Sequence, residues 1–255
     1  MEPCVLFLFN SSVYGPAPWI QAGVHCVSVD YDDTDHSGAR HAASSTPAHT
    51  RLNIDLSQPL ARWRVQTALF KQGLEPRLVI SFAPCTDLAV SGAAHFARKR
   101  ARDPLFQTKA VRMAQLASYW GLPYMVENPI SVLSTQWRKP DLVCHPWEFS
   151  GYLPADDVHP EAPQLYPPRD RYNKKTCLWV GHGFQLPPRI GEPLTDEEET
   201  QNPGFLKTGG KSAKIKHLRS LTPRGMSIAI CAANLHLFCD ILPLTVGMDP
   251  LYYAD

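Results

Sequence analysis

Two short stretches carry most of the chemistry this sequence can offer. In residues 81–92, SFAPCTDLAVSG, Cys85 follows a proline directly after the apolar run RLVI. In residues 123–129, PYMVENP, an apolar run ends in Glu127, Asn128 and Pro129. A cysteine is most often a small buried hydrophobe, and a strand-end glutamate most often caps a loop. The surroundings of Cys85 argue for more. Thr86, Asp87 and Ser91 come next, then the basic run HFARKRARD with Arg98, Lys99, Arg100 and Arg102, and positive charge favours a thiolate. If the two stretches end neighbouring parallel strands, Cys85 and Glu127 face one pocket. A thiolate beside a protonated carboxyl suits pyrimidine chemistry. The thiolate adds to C6, the carboxyl donates to N3, electron density gathers at C5, and C5 attacks an electrophilic carbon. Loss of the C5 proton and expulsion of the thiolate restore the ring, so covalent catalysis divides one hard substitution into easier steps. Burial that raises the glutamate pKa would help.

The elements that must hold these groups alternate between strand and helix. CVLFLFN, residues 4–10, is a continuous apolar run and predicts a buried parallel strand. SSVYGPAP reads as a loop and WIQAG as a short helix closed by Gly23. VHCVSVD predicts a second strand ending in Asp30, an acid that can accept hydrogen bonds from ribose hydroxyls or simply face solvent. HSGARHAASSTPAHT reads as a polar loop, and RLNIDLS as a third strand carrying Asp55. PLARWRVQTALFKQG predicts a helix ending at Gly73, and RLVISFAPC a fourth strand running into the Cys85 loop. PLFQTKAVRMAQLASYWG predicts a helix with Phe106, Val111, Leu116 and Trp120 on one face, and PYMVENP a fifth strand. Residues 131–171 are rich in proline and aromatics with little periodicity, and KKTCLWVG predicts another strand. GEPLTDEEETQNPGF reads as an acidic loop, and KIKHLRSLTPRGMSIAICAANLHLF as a basic segment followed by a helix with Thr222 as N-cap and Pro223 at its first position. This alternation predicts an α/β doubly wound sheet whose ligands bind where strands end.

Bulk composition narrows the classes. Of 255 residues, 44% are hydrophobic and 19% charged, which fits a globular chain. The net charge of +1 means that any nucleic-acid affinity comes from local patches. Two exist: the run after Cys85, and residues 207–224 with Lys207, Lys211, Lys214, Lys216, Arg219 and Arg224 and no acid. A solvated charged face is the usual explanation for such runs; their position beside the chemistry favours phosphate contact. Seven cysteines without a repeated spacing, and a start, MEPCVLFLFN, that lacks a basic flank, predict reduced thiols in a cytoplasm. The run SIAICAANLHLF is too short and polar to span a bilayer. Cys144, His145, Cys177 and His182 fit no standard zinc spacing, so no metal is expected.

In their order along the chain, these pieces resemble the DNA cytosine-5 methyltransferase family, and within it the small, divergent phage and bacterial members. APCTDLAVSG resembles the family's Pro-Cys nucleophile loop, VENP its Glu-Asn-Val strand end, and RSLTPRG its R-x-L-T-P-R-E segment. Residues 6–33, LFLFNSSVYGPAPWIQAGVHCVSVDYDD, resemble the start of the family, and NIDLS its short acidic motif. The resemblance implies a Rossmann-like class I methyltransferase fold, a mostly parallel sheet flanked by helices with a reduced target-recognition region. It implies a catalytic unit over residues 1–181, a short DNA-contact segment over 182–218 and a C-terminal helix over 219–255 that returns to the catalytic unit. Cys85 would be the nucleophile and Glu127 the N3 partner, with Lys174 of YNKKTCLWV in place of the first arginine of the family's Gln-x-Arg-x-Arg strand. Phe9, Asn10, Ser11, Asp30, Tyr31, Asp55 and Pro84 would form an S-adenosylmethionine pocket, with Asp30 on the ribose and Asp55 on the adenine. Thr86, Ser91, Asn128, Arg98, Arg100 and Lys214 would meet substrate or DNA, and Arg219 and Arg224 would support the catalytic region or contact the DNA backbone.

Four departures bear on this. The cofactor loop NSSVYGPAP has only Gly15, Thr176 stands for the second arginine, about forty residues separate KKTCLWVG from RSLTPRG, and LPLTVGMDP is a poor substitute for a C-terminal Gly-Asn segment. The expected activity is methyl transfer from S-adenosylmethionine to C5 of cytosine in duplex DNA, with the base flipped out. The expected setting is a monomer in the cytoplasm of a bacterium or phage-infected host, with no membrane partner. The missing glycines keep open another donor, such as a modified sulfonium or a folate carrying a one-carbon unit. An RNA target and a catalytically silent nucleic-acid-binding relative are the further alternatives.

Overall fold

The computed structural model describes residues 1–31, 48–200 and 213–242. Most of the polar loop 36–50, Lys207, Lys211 and LPLTVGMDP lie outside the described residues, as does the Lys214 side chain. Seven strands form one sheet: β1 (Glu2–Leu8), β2 (His25–Asp30), β3 (His49–Asn53), β4 (Leu74–Ser81), β5 (Tyr124–Pro129), β6 (Leu142–Cys144) and β7 (Thr176–Gly181). Their order is β3-β2-β1-β4-β5-β7-β6. Neighbours from β3 to β5 are parallel, while β7 runs antiparallel to both β5 and β6. The chain therefore winds outward from β1 to β3, then returns to place β4 on the other side of β1. Ligands of doubly wound sheets bind outside the carboxyl ends of the strands at such a reversal.

The central strands are apolar because both their faces are covered. Cys4, Leu6 and Leu8 of β1 join one core, and Val5 and Phe7 join the other. The first core is closed by α2 (Ala61–Lys71), through Ala61, Val65 and Leu69, and by α4 (Phe106–Gln115), through Ala110, Val111 and Ala114. Between them in sequence lies α3 (Phe96–Arg102), which buries no residue. The second core is closed by α1 (Ala17–Gln21), with Trp19, and by a late helix described below. Gly23, Gly73 and Gly121 end their helices at positive φ of 83°, 69° and 70°, the left-handed conformation that glycine adopts without a Cβ penalty. Where Pro76 enters β4, the register against β1 slips between Cys4 and Val5, the kind of irregularity that accommodates a proline in a ladder.

Past β5 come α5 (Leu133–Gln136), irregular chain and the short α6 (Asp196–Thr200), where an acidic loop was expected. The basic segment is helical as α7 (Ala213–Ser220), and α8 (Arg224–Asn234) packs Met226, Ile230 and Cys231 into the second core. Three expectations need correction. The third strand stops at Asn53, so Asp55 lies in the turn beyond it. The helix before β5 becomes 3-10 from Leu116 to Trp120. The N-cap of α8 is Pro223, whose φ is −58° and ψ 130°, and the helix begins one residue later than the expected Thr222 cap implied. Among the described residues, no helix is long and apolar enough to cross a membrane.

Candidate active site

A cleft of about 580 Å³ opens at the carboxyl ends of β1, β4 and β5, where the winding reverses. Phe9, Asn10, Ser11 and Ser12 line it after β1, and Phe82 to Thr86, Ala89 and Ser91 after β4. Glu127 and Pro129 come from β5, Lys174 from the approach to β7, and Arg219 to Pro223 and Met226 from the entry to α8. Seven of the residues singled out by sequence as catalytic or donor-binding, namely Cys85, Glu127, Lys174, Phe9, Asn10, Ser11 and Pro84, thus share one cavity, as do Thr86, Ser91 and Arg219.

The loop after β1 is shaped by side chains where a glycine-rich turn would use backbone freedom. Phe9 sits at φ 55°, a strained conformation for a residue with a Cβ. The Asn10 side chain turns inward, 3% exposed, and its amide donates to the Ser12 carbonyl at 2.9 Å and the Ser28 hydroxyl at 3.0 Å. Ser28 Oγ in turn meets His49 Nε2 at 2.9 Å. Burial, reinforced by the Arg51 guanidinium, brings His49 down to about 4, so the ring is neutral at physiological pH. Asn10 therefore borders the cleft while its side-chain Nδ2 holds the loop.

Cys85 is exposed at the cleft wall, and its carbonyl accepts the Leu88 and Ala89 amides at 3.0 and 2.8 Å, closing a turn around it. The atoms crowded about its sulfur raise the thiol pKa. The Glu127 charge adds to that rise, while Lys174, the cysteine's own amide and Arg219 oppose it. Glu127 is half-buried and its carboxyl has no hydrogen-bond or ion-pair partner among the described residues. Burial pushes its pKa up, and the Lys174 ammonium pulls part of that rise back. The carboxyl that the pyrimidine chemistry wants protonated is the one the fold makes hard to ionise.

Asn128 and Arg224 are both engaged within the protein. Asn128 is fully buried; its Nδ2 donates to the Ala83 carbonyl at 2.8 Å and braces the Cys85 loop against β5. The Arg224 side chain is 12% exposed and grips Asp157 at 2.6 and 2.7 Å and Asp170 at 3.1 Å, so it anchors the entry to α8 and does not face DNA. Asp30 and Tyr31 follow at the end of β2, beside Phe9 and Asn10, since the Asn10 amide donates to the Val29 carbonyl at 3.3 Å. Asp55 does not line the cleft. Its carboxylate accepts Ser57 N at 2.9 Å, Ser57 Oγ at 2.6 Å and Gln58 Nε2 at 2.8 Å, which fixes the turn before α2. Burial opposes its ionisation, but these bonds and Arg64 outweigh it and hold the pKa below the usual aspartate value. Adenine recognition by Asp55 is thus in competition with a turn.

Arg98, Arg100 and Arg102 are exposed on α3, and the Arg100 guanidinium also donates to Gln107 Oε1 at 3.2 Å. A second cleft, of about 680 Å³, lies between α2 and α4 and has Asp87 on its wall. Several residues of the first cleft were not anticipated: Phe82, Ala89, Ser12, Leu221 and Met226. Their only sequence signal was adjacency to a motif. No family model matches this chain, and no curated protein matches it.

Proposed function

We propose that this protein transfers a methyl group from S-adenosylmethionine to C5 of cytosine in DNA, with Cys85 as the transient nucleophile. The observation that carries the reading is the meeting of Cys85, a hard-to-ionise Glu127 and Lys174 in one cleft at the reversal of the sheet. The mostly parallel seven-stranded sheet agrees with the Rossmann-like architecture that the resemblance implies.

The cleft lies within the volume range of small-ligand sites. Phe9, Ser11 and Pro84, with Asp30 at the next strand end, would hold the donor, which supplies an electrophilic methyl group on a sulfonium. The protein's own groups do the rest. Lys174 and Arg219 favour the Cys85 thiolate. Its electron pair forms the bond to C6, and the Glu127 proton hydrogen-bonded to N3 stabilises the charge spread over the ring. With the donor held there, C5 would take the methyl as the methyl–sulfonium bond breaks and leaves a neutral thioether, the C5 proton would leave to a base, and the C6–S bond would break to return the thiolate. A cytosine must leave the duplex to reach Cys85, and the exposed arginines of α3 would hold the phosphates. We read the protein as acting as a monomer in a bacterial or phage-infected cytoplasm.

The second reading, a different one-carbon donor at the same site, is favoured by the side-chain-locked loop at Phe9 and Asn10 and by the engaged Asp55. Incubation with S-adenosylmethionine and cytosine-containing duplex, followed by nucleoside mass spectrometry, separates the two. A gain of one methyl on deoxycytidine, absent in Cys85→Ala, supports the first. An unchanged nucleoside together with no calorimetric binding of S-adenosylmethionine refutes it.

A further inference from the structure

The loop carrying Cys85 is held at several points. Asn128 fixes the Ala83 carbonyl from β5. Val90 N donates to the Ile130 carbonyl at 3.1 Å and Val132 N to the Leu88 carbonyl at 3.0 Å, which ties the far end of the turn to the segment directly after that strand. Between these, Thr86 and Asp87 are tethered by one side chain: Lys99 Nζ donates to the Thr86 carbonyl at 2.9 Å and pairs with Asp87 Oδ1 at 2.5 Å. Among the described residues no other group donates to either. Lys99 is the inward-facing cation of α3, its side chain 28% exposed, whereas Arg98, Arg100 and Arg102 on the same helix face solvent. The Thr86–Asp87 peptide is also the partition between the two clefts, with Thr86 lining one and Asp87 the other.

We propose that Lys99 is a positioning residue: it clamps the peptide directly after Cys85 onto α3, and so fixes the sulfur relative to Glu127 and couples the nucleophile to the helix whose arginines meet the nucleic acid. This rests on the reading of Cys85 as a nucleophile. It also removes Lys99 from the phosphate-binding run to which its sequence neighbours assign it. The clamp orients; it touches no reacting atom. A misplacement of about 1 Å at a reacting group can cost about a hundredfold in rate, so a lost tether on one of several has a smaller effect.

The test compares wild type with Lys99→Gln, Asp87→Asn, the double variant and Lys99→Arg. The clamp predicts that each of the first two lowers kcat about tenfold. It predicts an unchanged KM for duplex DNA, an unchanged salt slope of DNA binding, and a double variant no worse than the poorer single. Lys99→Arg, which can donate to both oxygens, recovers part of the rate. A raised KM with kcat intact and a salt slope lower by about one in Lys99→Gln would make it a phosphate contact and overturn the proposal. Alkylation of Cys85 by iodoacetamide provides a readout independent of methyl transfer. The plateau rate should rise several-fold, and equally, in Lys99→Gln and Asp87→Asn, with the pH midpoint unmoved. If the wild type modifies no DNA, the functional reading falls and alkylation alone decides; equal plateau rates in all variants would then sink the clamp.

Discussion

Replacing Arg224 by Met distinguishes a structural arginine from a DNA-contacting one. The side chain makes three charged contacts, at 2.6 and 2.7 Å to Asp157 and 3.1 Å to Asp170. The carboxylates are 7% and 2% exposed, so water cannot replace the lost partner. Methionine keeps much of the aliphatic stem, which isolates the loss of charge. Asp157 retains the Arg169 amide at 2.8 Å, and Asp170 retains the Arg224 and Gly225 amides at 2.5 and 3.3 Å. Leaving a buried ionic partner uncompensated costs about 3–5 kcal/mol, and the surviving amide bonds favour the lower half of that range. At about 2–4 °C per kcal/mol for a chain of this size, the melting temperature should fall by about 6–16 °C. Scanning calorimetry measures this directly, and DNA-binding titrations at several salt concentrations accompany it. The salt slope should stay at the wild-type value. A melting temperature within about 2 °C of wild type, together with a slope reduced by about one, would mean that Arg224 neutralises a phosphate and that the buried network has been misread.

Glu127→Gln removes the proton donor to N3 and should reduce turnover by about a hundredfold or more, as read by methyl incorporation. The same substitution alters stability with a defined sign. The Glu127 pKa is raised in the folded state, so above about 4.5 the unfolded chain loses that proton first and wild-type stability falls as pH rises towards the folded value. Urea midpoints across this interval should fall less steeply in Glu127→Gln, and parallel curves would refute burial as the cause. Lys174→Met removes a charge that lowers the Cys85 pKa, so the midpoint of Cys85 alkylation should move to higher pH; a move to lower pH would contradict the assignment. Gly225→Ala would set a Cβ at 2.5 Å from the Phe149 carbonyl oxygen. The helix-propensity gain of about 1 kcal/mol is outweighed by overpacking against fixed backbone, with a net loss of about 2 kcal/mol expected in urea denaturation.

The strands that build the cleft were legible because their burial leaves a continuous apolar signature: CVLFLF, HCVSVD, RLVIS, YMV and TCLWV each lie within or across an observed strand. Helix ends were legible wherever a glycine takes positive φ. What escaped detection did so for identifiable reasons. The α3 run FARKRAR buries nothing, so it leaves no apolar period to read, although arginine and alanine are good helix formers. β6 has three residues, too few to show alternation. Asp55 was placed in a strand because the pattern of RLNIDLS is extended, but its carboxylate reaches the Ser57 amide, and local side-chain bonds of this kind compete with the ladder. Arg224 is read as supporting the catalytic region or the DNA backbone, and Asn128 as a substrate contact, because they sit in motifs. Their partners, Asp157 and Asp170 for one and the Ala83 carbonyl for the other, lie 67, 54 and 45 residues away.

That distinction separates two kinds of residue in the site. Cys85 and Glu127 were legible as candidates because residue type and a position at the carboxyl ends of adjacent parallel strands bring them to one cleft, whereas Lys174, which precedes the antiparallel β7, was reached only through the resemblance. Asn128 and Arg224 brace their surroundings through a carbonyl and carboxylates that are distant in sequence, and in the sequence alone both side chains read equally well as nucleic-acid contacts. The fold resolves the ambiguity by exposure. On α3 the arginines face solvent and the lysine faces the loop; around α8, Arg219 lines the cleft while Arg224 is buried on two carboxylates. Among the described residues, each basic segment has a cation engaged inward, Lys99 in one and Arg224 in the other, and the exposed arginines of α3 are available to a polyanion. Neutralising Arg98, Arg100 and Arg102 together should then reduce the salt slope of DNA binding by about two to three while leaving the alkylation profile of Cys85 unchanged. A shift in that profile would show that the arginines also act on the nucleophile, and the division between inward and outward charge would fail.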